Sequence, residues 1–544
     1  MWQLVFSYLP IFLLIWLLTK RNSMASSKAL PLTALVTYFI VLVIFRHDPL
    51  VVHATVLEGL LVAWTPILII AGAIFLFRTM EATGALSTIR LWLNHISDNK
   101  IAQLMMVGWA FPFLIEGASG FGTPAAIAAP ILVGLGFPPV RIAILVLVMN
   151  TIPVSFGAVG TPTWFGFSAI ELSQTEMLTI GFKSALVSAV AALVIPVIAL
   201  AFVVKPKSLL KNWLFILLSI LLTVIPFLVI ARFSYEFPSL IGGFIGLICT
   251  VILAKFRIGI SPGEVELQEP SGKSELLHDN GEDRSSSGKP GIKELLKASF
   301  PLWGTILILI LTRVPELGIK PLLLSESPAV HLDLGSLGEL SLSASLVIGL
   351  ERIFHTAVEW THSILYVPSV LPFALVSLLT FLLYRNKANR VRTVFHETVD
   401  QMKGPTLALL GALVFVGLMM MGGEYSAVTL IGKSMADLTG QSWQYFASYL
   451  GALGSFFSGS ATISNLTFGG IQDSIAQALD LNRTTILAMQ SAGGAIGNMV
   501  CINNIVAVAS VLALGNKEGY ILKRTVVPMI IYGVIAGLMS MVFR

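Results

Sequence analysis

The chain has 544 residues, 56% of them hydrophobic and only 12% charged, with a formal net charge of +5. A soluble domain carries roughly 25% charged residues, so this composition belongs to a chain largely removed from water. The basic residues are spread over loops instead of forming one patch, which argues against nucleic acid. Cys249 and Cys501 lie far apart in apolar segments, which argues against a disulfide framework or a metal site.

Apolar runs recur along the whole length, each near the ~20 residues that cross a bilayer as a helix. A transmembrane barrel would show short alternating segments instead. The first run, in "MWQLVFSYLPIFLLIWLLTKR", lacks a basic region before it and a small-residue cleavage site, so it reads as a retained span and not a signal peptide. Predicted spans fall near 4–19, 30–45, 56–77, 139–165, 176–204, 212–231, 238–254, 298–314, 361–384, 405–422, 484–514 and 525–543. Two further apolar stretches, 101–136 and 444–480, are broken midway by Gly, Ser, Thr, Asn and Pro. Each is too long for one crossing and too interrupted for two, and suits a re-entrant hairpin. The predicted fold is an all-α polytopic membrane protein of about twelve transmembrane helices plus two re-entrant hairpins.

Residues 258–297 form a charged Gly/Ser/Pro linker, disordered at its centre. Residues 315–343 read as an extramembrane loop, followed by an amphipathic helix with Arg352, His355 and Glu359 on it; the i,i+4 spacing of His355 and Glu359 reads as a surface ion pair. With both termini outside and both hairpins returning to the side they enter, most Lys and Arg residues fall in inner loops, as the positive-inside rule requires.

An inverted repeat emerges in chain order. After two spans in 1–55, the first repeat (56–204) holds span 56–77, an amphipathic segment, hairpin 101–136, broken span 139–165 and span 176–204. Two spans (205–257), the linker and the connecting region 298–404 follow. The second repeat (405–544) presents the same order with hairpin 444–480 and broken span 484–514, but runs the opposite way across the membrane. Secondary transporters share this design, with the substrate held at the broken segments.

Four interruptions therefore carry the chemistry: "EGASGFGTP" (116–124), "NTIPVSFGAVGTP" (150–162), "SGSATISNLTFGG" (458–470) and "QSAGGAIGNMVCINN" (490–504). Non-helical backbone at membrane depth survives only where protein or water satisfies it. A helix restarting after a break presents free N–H groups and a partial positive charge, an anion site. Thr123-Pro124 and Thr161-Pro162 have the form of an N-cap followed by Pro, and Ser464 and Asn465 are comparable caps in the second hairpin. Ser119, Thr123, Asn150, Ser460, Ser464, Asn465 and Asn498 are the side-chain candidates for substrate binding; Gly120, Gly122, Gly157, Thr161 and Gly494 join them through the backbone breaks. Gly117, Gly160, Gly493 and Gly497 are read as shaping the backbone.

Glu116 is the only acid in the four stretches, which contain no Lys or Arg. An acid at helix-centre depth costs roughly 3 kcal/mol to insert and is a functional suspect for that reason; an acid that takes up and releases a proton there suits proton coupling. Asp473 and Glu424 are weaker candidates at segment ends. The two Gly-Lys-Ser matches, 272–274 and 432–434, lack the upstream Gly of a nucleotide-binding loop, which leaves an ion gradient as the energy source. The eight His residues lie in loops, the linker or span ends, which disfavours an intramembrane enzyme; a passive channel and a sodium-coupled anion transporter are the rival transport readings.

The stretches "FLIEGASGFGTPAAIAAPILVGLGF" and "NTIPVSFGAVGTP", and the region from "SGSATISN" to "GNMVCINN", resemble the L-lactate permease family of bacterial membrane transporters over nearly the whole chain. The resemblance implies uptake of small 2-hydroxy monocarboxylates (L-lactate, D-lactate, glycolate) with proton symport across the bacterial inner membrane. It implies no cofactor and no nucleic-acid partner; the partners are the monocarboxylate, protons and the lipid bilayer, and a homodimer is compatible with it. Some members of the family carry an aspartate where this chain has Ala461 and a lysine where it has Asn498. The absence of that pair leaves more of any proton coupling to Glu116.

Overall fold

Helix starts written into the sequence recur in the structure. Asp48 accepts the Leu50 N–H at 2.9 Å just ahead of Pro49. Ser173 and Glu176 form a reciprocal capping box ahead of Gln174–Ala192. Asn482 accepts the Thr485 N–H ahead of Arg483–Gly497. Each satisfies a donor that the first helical turn leaves without a partner. The computed structural model describes residues 2–19, 24–120, 123–269, 290–313, 317–367, 369–386, 388–512, 514 and 517–543. The centre of the predicted linker and Gly122 lie outside the described residues.

Among the described residues, eight helices are long and apolar enough to cross a bilayer: Pro49–Ala82, Lys100–Ala118, Gln174–Val203, Trp213–Ala231, Pro238–Lys255, Ala388–Met420, Arg483–Ala509 and Glu518–Val542. A further pair, Pro139–Met149 and Val154–Trp164, passes the same criterion together but is bent by 60° at the break between them, where the sequence predicts the broken span 139–165. The predicted spans 4–19, 30–45, 298–314 and 361–384 correspond to shorter apolar helices of 10–17 residues. Trp213–Ala231 shows why these are membrane helices: it buries Ile216, Ile220 and Phe227, yet leaves Ile225 and Val229 exposed. Both faces are apolar, as only a lipid surround permits.

The chain divides into two compact units: Met1–Gly84 with Ser299–Gly440 and Asp473–Leu479, and Ala85–Ala298 with Gln441–Gln472 and Asp480–Arg544. Spans 56–77 and 405–422, which open the two predicted repeats, belong to the first unit. The broken spans and the final spans of both repeats belong to the second.

In the first unit, helix Ala388–Met420 packs on Ser26–Val43, Pro49–Val62 and Trp64–Ala82. The fold is not all-α. Where the sequence reading has a loop and an amphipathic helix, the structure has a four-stranded antiparallel meander: Ala329–Asp333, Glu339–Ser343, Val347–Glu351 and Trp360–Ser363. Arg352, Phe354 and His355 have positive φ in the turn after the third strand, which cannot continue a helix. His355 and Glu359 therefore do not share a helix face; Arg352 pairs with Glu339 instead, at 2.5 Å. Leu350 and Ile353 pack on Ala54, with Leu57 and Leu61 beside them. His362 is buried and shares a 2.9 Å hydrogen bond with Thr65; burial pushes its imidazole pKa down.

In the second unit, Phe111–Ser119 crosses Pro238–Lys255 at near backbone contact. A Cβ on Gly243 would overlap the Leu114 backbone, and one on Gly117 the Leu240 backbone, so small residues set the distance between these helices. Trp443–Ser458 packs closely on Arg483–Gly497 in the same way, with Gly451 against Gly493 and Gly494.

Candidate functional site: a buried acid among broken helices

All four broken stretches lie in the second unit. Phe111–Ser119 ends at Gly120, whose φ of 62° and ψ of −154° stop the helix; another helix begins at Thr123 and packs back on the first. The side chains of Ser119 and Thr123 lie outside the described set. Pro139–Met149 ends at Asn150, and after the short turn Val154–Phe156 the chain passes through left-handed Ala158, Val159 and Gly160 before helical geometry resumes. In the second half, Trp443–Ser458 ends at left-handed Gly459, and Ala461–Ala478 begins directly after Ser460.

Glu116 is 2% exposed. The Asn150 side-chain amide donates to its Oε2 at 3.1 Å. A Cβ on Gly157 would lie 2.5 Å from Oε1, so the glycine makes the room that the carboxyl occupies. Asn150 Oδ1 is buried and has no hydrogen-bond partner among the described groups. Because an amide presents a donor at one end and an acceptor at the other, a rotated Asn150 accepts from a protonated Glu116 as readily as the present orientation donates to an ionised one.

Glu116 opens onto a cavity of about 20 Å³ lined also by Gly120, Val154, Gly157, Ala158, Pro162, Gly459, Ser460, Ala461, Thr462 and Asn498. One ordered water needs roughly 10–15 Å³, so the hollow as it stands has room for about one water. Among the described residues, Lys and Arg are absent from this lining. Five residues expected at the site thus meet around one hollow: Glu116, Gly120, Gly157, Ser460 and Asn498, with Asn150 directly behind Glu116.

The other predicted ligands are occupied elsewhere. Thr161 does not cap the restarting helix; its hydroxyl donates to the Ala158 carbonyl at 2.5 Å. Ser464 and Asn465 are not caps either, because the helix starts earlier: Ser460 accepts the Ile463 N–H at 3.3 Å. The Ser464 hydroxyl donates to the Gly451 carbonyl, and the Asn465 amide to the Pro162 carbonyl at 2.8 Å. The carbonyl of Gly494 accepts from both Ser455 and Asn498. Of the weaker acids, Asp473 accepts from Gln477 at 2.9 Å and Glu424 is exposed. Gln472 and Gln490, which do not figure among the sequence candidates, are both fully buried and hydrogen-bonded to each other. An amide in an apolar run is costly unless paired, and that cost was the available signal.

A sequence model of the L-lactate permease family matches residues 3–544. The chain belongs to that family. A Haemophilus influenzae protein that carries the L-lactate permease name provisionally is 46% identical over 99% of this chain and 98% of its own length. The L-lactate permease of Bacillus subtilis is 27% identical, over 95% of this chain and 91% of its own. The glycolate permease of Escherichia coli is 25% identical, over 88% and 84%. Among solved structures, the YdaH transporter of Alcanivorax borkumensis aligns over 90% of this chain and 87% of its own with a TM-score of 0.42 and 16% identity, a likeness on which no argument rests. Family membership and the apolar helices together make this a multi-pass membrane protein.

Proposed function

We propose that this permease-family chain is a proton-coupled transporter of L-lactate and related 2-hydroxy monocarboxylates, D-lactate and glycolate, across the bacterial plasma membrane, with Glu116 as the proton-carrying group. The reading carries with it twelve spans, two re-entrant hairpins and external termini. The observation that supports it best is a buried acid facing a small cavity with no Lys or Arg among the described residues of its lining. A monocarboxylate held there meets the Ser460 and Thr462 hydroxyls and the Asn498 amide. It also meets the start of helix Ala461–Ala478, whose free N–H groups and partial positive charge favour an anion. Glu116 lines the same cavity.

Two ionised carboxylates cannot share this space cheaply. One proton on Glu116 removes the repulsion, so substrate and proton enter together and leave together. Asn150 serves both protonation states by rotation of its amide, and Gly157 keeps the carboxyl's place free of other atoms. The hydroxyl of a 2-hydroxy acid can donate or accept, which matches a wall of hydroxyls and amides.

The test is labelled L-lactate uptake into proteoliposomes with an imposed pH gradient, acid on the side of entry. Accumulation that follows the gradient and persists when sodium is replaced by choline is expected. Accumulation that follows sodium instead, or flux that never exceeds equilibration, would overturn the proton reading.

A further inference from the structure

Four buried side chains of the second unit join into one directed chain of hydrogen bonds. Trp443 Nε1 donates to Gln472 Oε1 at 2.7 Å. Gln472 Nε2 donates to Gln490 Oε1 at 3.1 Å and to the Ala447 carbonyl at 2.7 Å. Gln490 Nε2 donates to Asn465 Oδ1 at 3.3 Å and to the Ser464 hydroxyl at 3.1 Å. Asn465 Nδ2 donates to the Pro162 carbonyl at 2.8 Å. Gln472 and Gln490 are fully buried, and Asn465 is 1% exposed.

The two ends fix the direction. An indole N–H can only donate, and a proline carbonyl can only accept. Gln472 must therefore turn its oxygen to Trp443, which points its NH₂ at Gln490, and the same logic passes along Gln490 and Asn465 to Pro162. Flipping any one amide puts donor against donor or acceptor against acceptor at both of its neighbours. In a dry interior such mispairing costs far more than at a surface.

The chain terminates on Pro162, two residues beyond a strained piece of backbone. Ala158 and Val159 have φ of 43° and 57°; a left-handed β-branched residue is an outlier that persists only where its surroundings impose it. Thr161 Oγ1 holds the Ala158 carbonyl and Trp164 Nε1 the Val159 carbonyl, but both are local to the turn. Asn465 reaches the turn from another helix. Ala158 and Pro162 are walls of the cavity that Glu116 faces.

We propose that Gln490, acting through Asn465, is a positioning residue that holds the left-handed turn 158–160 in the shape that walls the substrate cavity. This rests on the reading of that cavity as the carboxylate site. Neither residue need touch the substrate: Asn465, read from sequence as a ligand, commits its amide to the protein.

The experiment compares Asn465→Ala, Gln490→Leu, the double variant and Trp443→Phe with wild type. Lactate uptake is measured per folded transporter in proteoliposomes, and amide hydrogen exchange over 158–164 in the purified protein. Gln490→Leu and Asn465→Ala are each expected to raise KM about tenfold, the scale of one lost hydrogen bond, with maximal rate within twofold. The double variant is expected to be no worse than Asn465→Ala alone, because Gln490 works through Asn465. Exchange over 158–164 should accelerate in all four, least in Trp443→Phe, the mildest change should the others fail to fold. The positioning role is overturned if exchange over 158–164 stays at the wild-type rate, if KM is unmoved, or if the two single effects multiply in the double variant. Should wild type transport no 2-hydroxy acid, the reading of the cavity falls, while the exchange measurement still decides whether this chain of amides governs the turn.

Discussion

Replacing Glu116 by Gln removes the proton site while keeping size and hydrogen-bonding capacity. Two unit charges about 4 Å apart, the separation taken for two carboxylates sharing the cavity, repel by roughly 4 kcal/mol at an effective dielectric of about 20. Among the described residues, no Lys or Arg lines the cavity to offset this. Ionised Glu116 thus weakens anion binding by about 10³-fold, and wild-type affinity falls roughly tenfold per pH unit once Glu116 begins to lose its proton, until that limit is reached. In Glu116→Gln the site stays neutral, so lactate binding becomes independent of pH. Exchange of internal for external lactate continues, because binding survives, but pH-driven accumulation disappears, because no proton is carried. Both are read in the same proteoliposomes, as counterflow and as gradient-driven uptake. Glu116→Gln accumulating lactate as wild type does, or wild-type binding that ignores pH, would refute the reasoning.

Gly157→Ala places a methyl 2.5 Å from Glu116 Oε1; we expect uptake to fall at least 100-fold, and Glu116→Asp, with its shorter side chain, to restore part of it. Normal uptake by the Gly157→Ala variant would show that the carboxyl is not confined there. Asn150→Leu strips Glu116 of its amide, a charged hydrogen bond worth roughly 1.5–3 kcal/mol, and proton-driven uptake should drop tenfold or more; unchanged uptake would remove Asn150 from the site. Ser173→Ala deletes half of the capping box before Gln174–Ala192 and should cost about 1 kcal/mol, measured as a lower midpoint of thermal unfolding in detergent, with KM unaffected. His362 is held neutral by burial, its pKa pushed below the ordinary value of 6.5. On local unfolding it regains that value and takes up a proton in acid, so the stability of the sheet is complete above about pH 6.5 and declines as pH falls through it. Hydrogen exchange of the strand Trp360–Ser363 should accelerate below that pH, and the acceleration should vanish in His362→Gln.

The sheet was the part of the fold hidden by the reading of its sequence. "ELSLSASLVIGLE" alternates apolar and polar residues, the period of a strand, but its neighbourhood of long helical runs favoured a helix for the segment that follows. The site was partly legible for an opposite reason. Glu116, the Gly clusters and the Thr-Pro steps break the apolar pattern in ways that cost free energy unless something compensates, so they stand out in one dimension. Ser464 and Asn465 stand out equally, yet whether a polar side chain faces a cavity or a carbonyl depends on a helix beginning at Ala461 instead of four or five residues later. A boundary of that kind is set by packing and not by propensity.

By itself the sequence determined the membrane class, because few charges and long apolar runs admit no other solvent. It also determined where the helices must break, because Gly, Pro and an acid cannot continue them uncompensated in lipid. Only the tertiary structure decided which of those breaks meet. Glu116, Gly157, Ser460 and Asn498 are separated by up to hundreds of residues and share one cavity. Gln472 and Gln490, unremarked in the apolar runs, take on meaning only as links between a tryptophan N–H and the carbonyl of Pro162. Partnership between buried polar groups is a property of positions in space: the chain order marks an amide in an apolar run as needing a partner, but not which partner it finds.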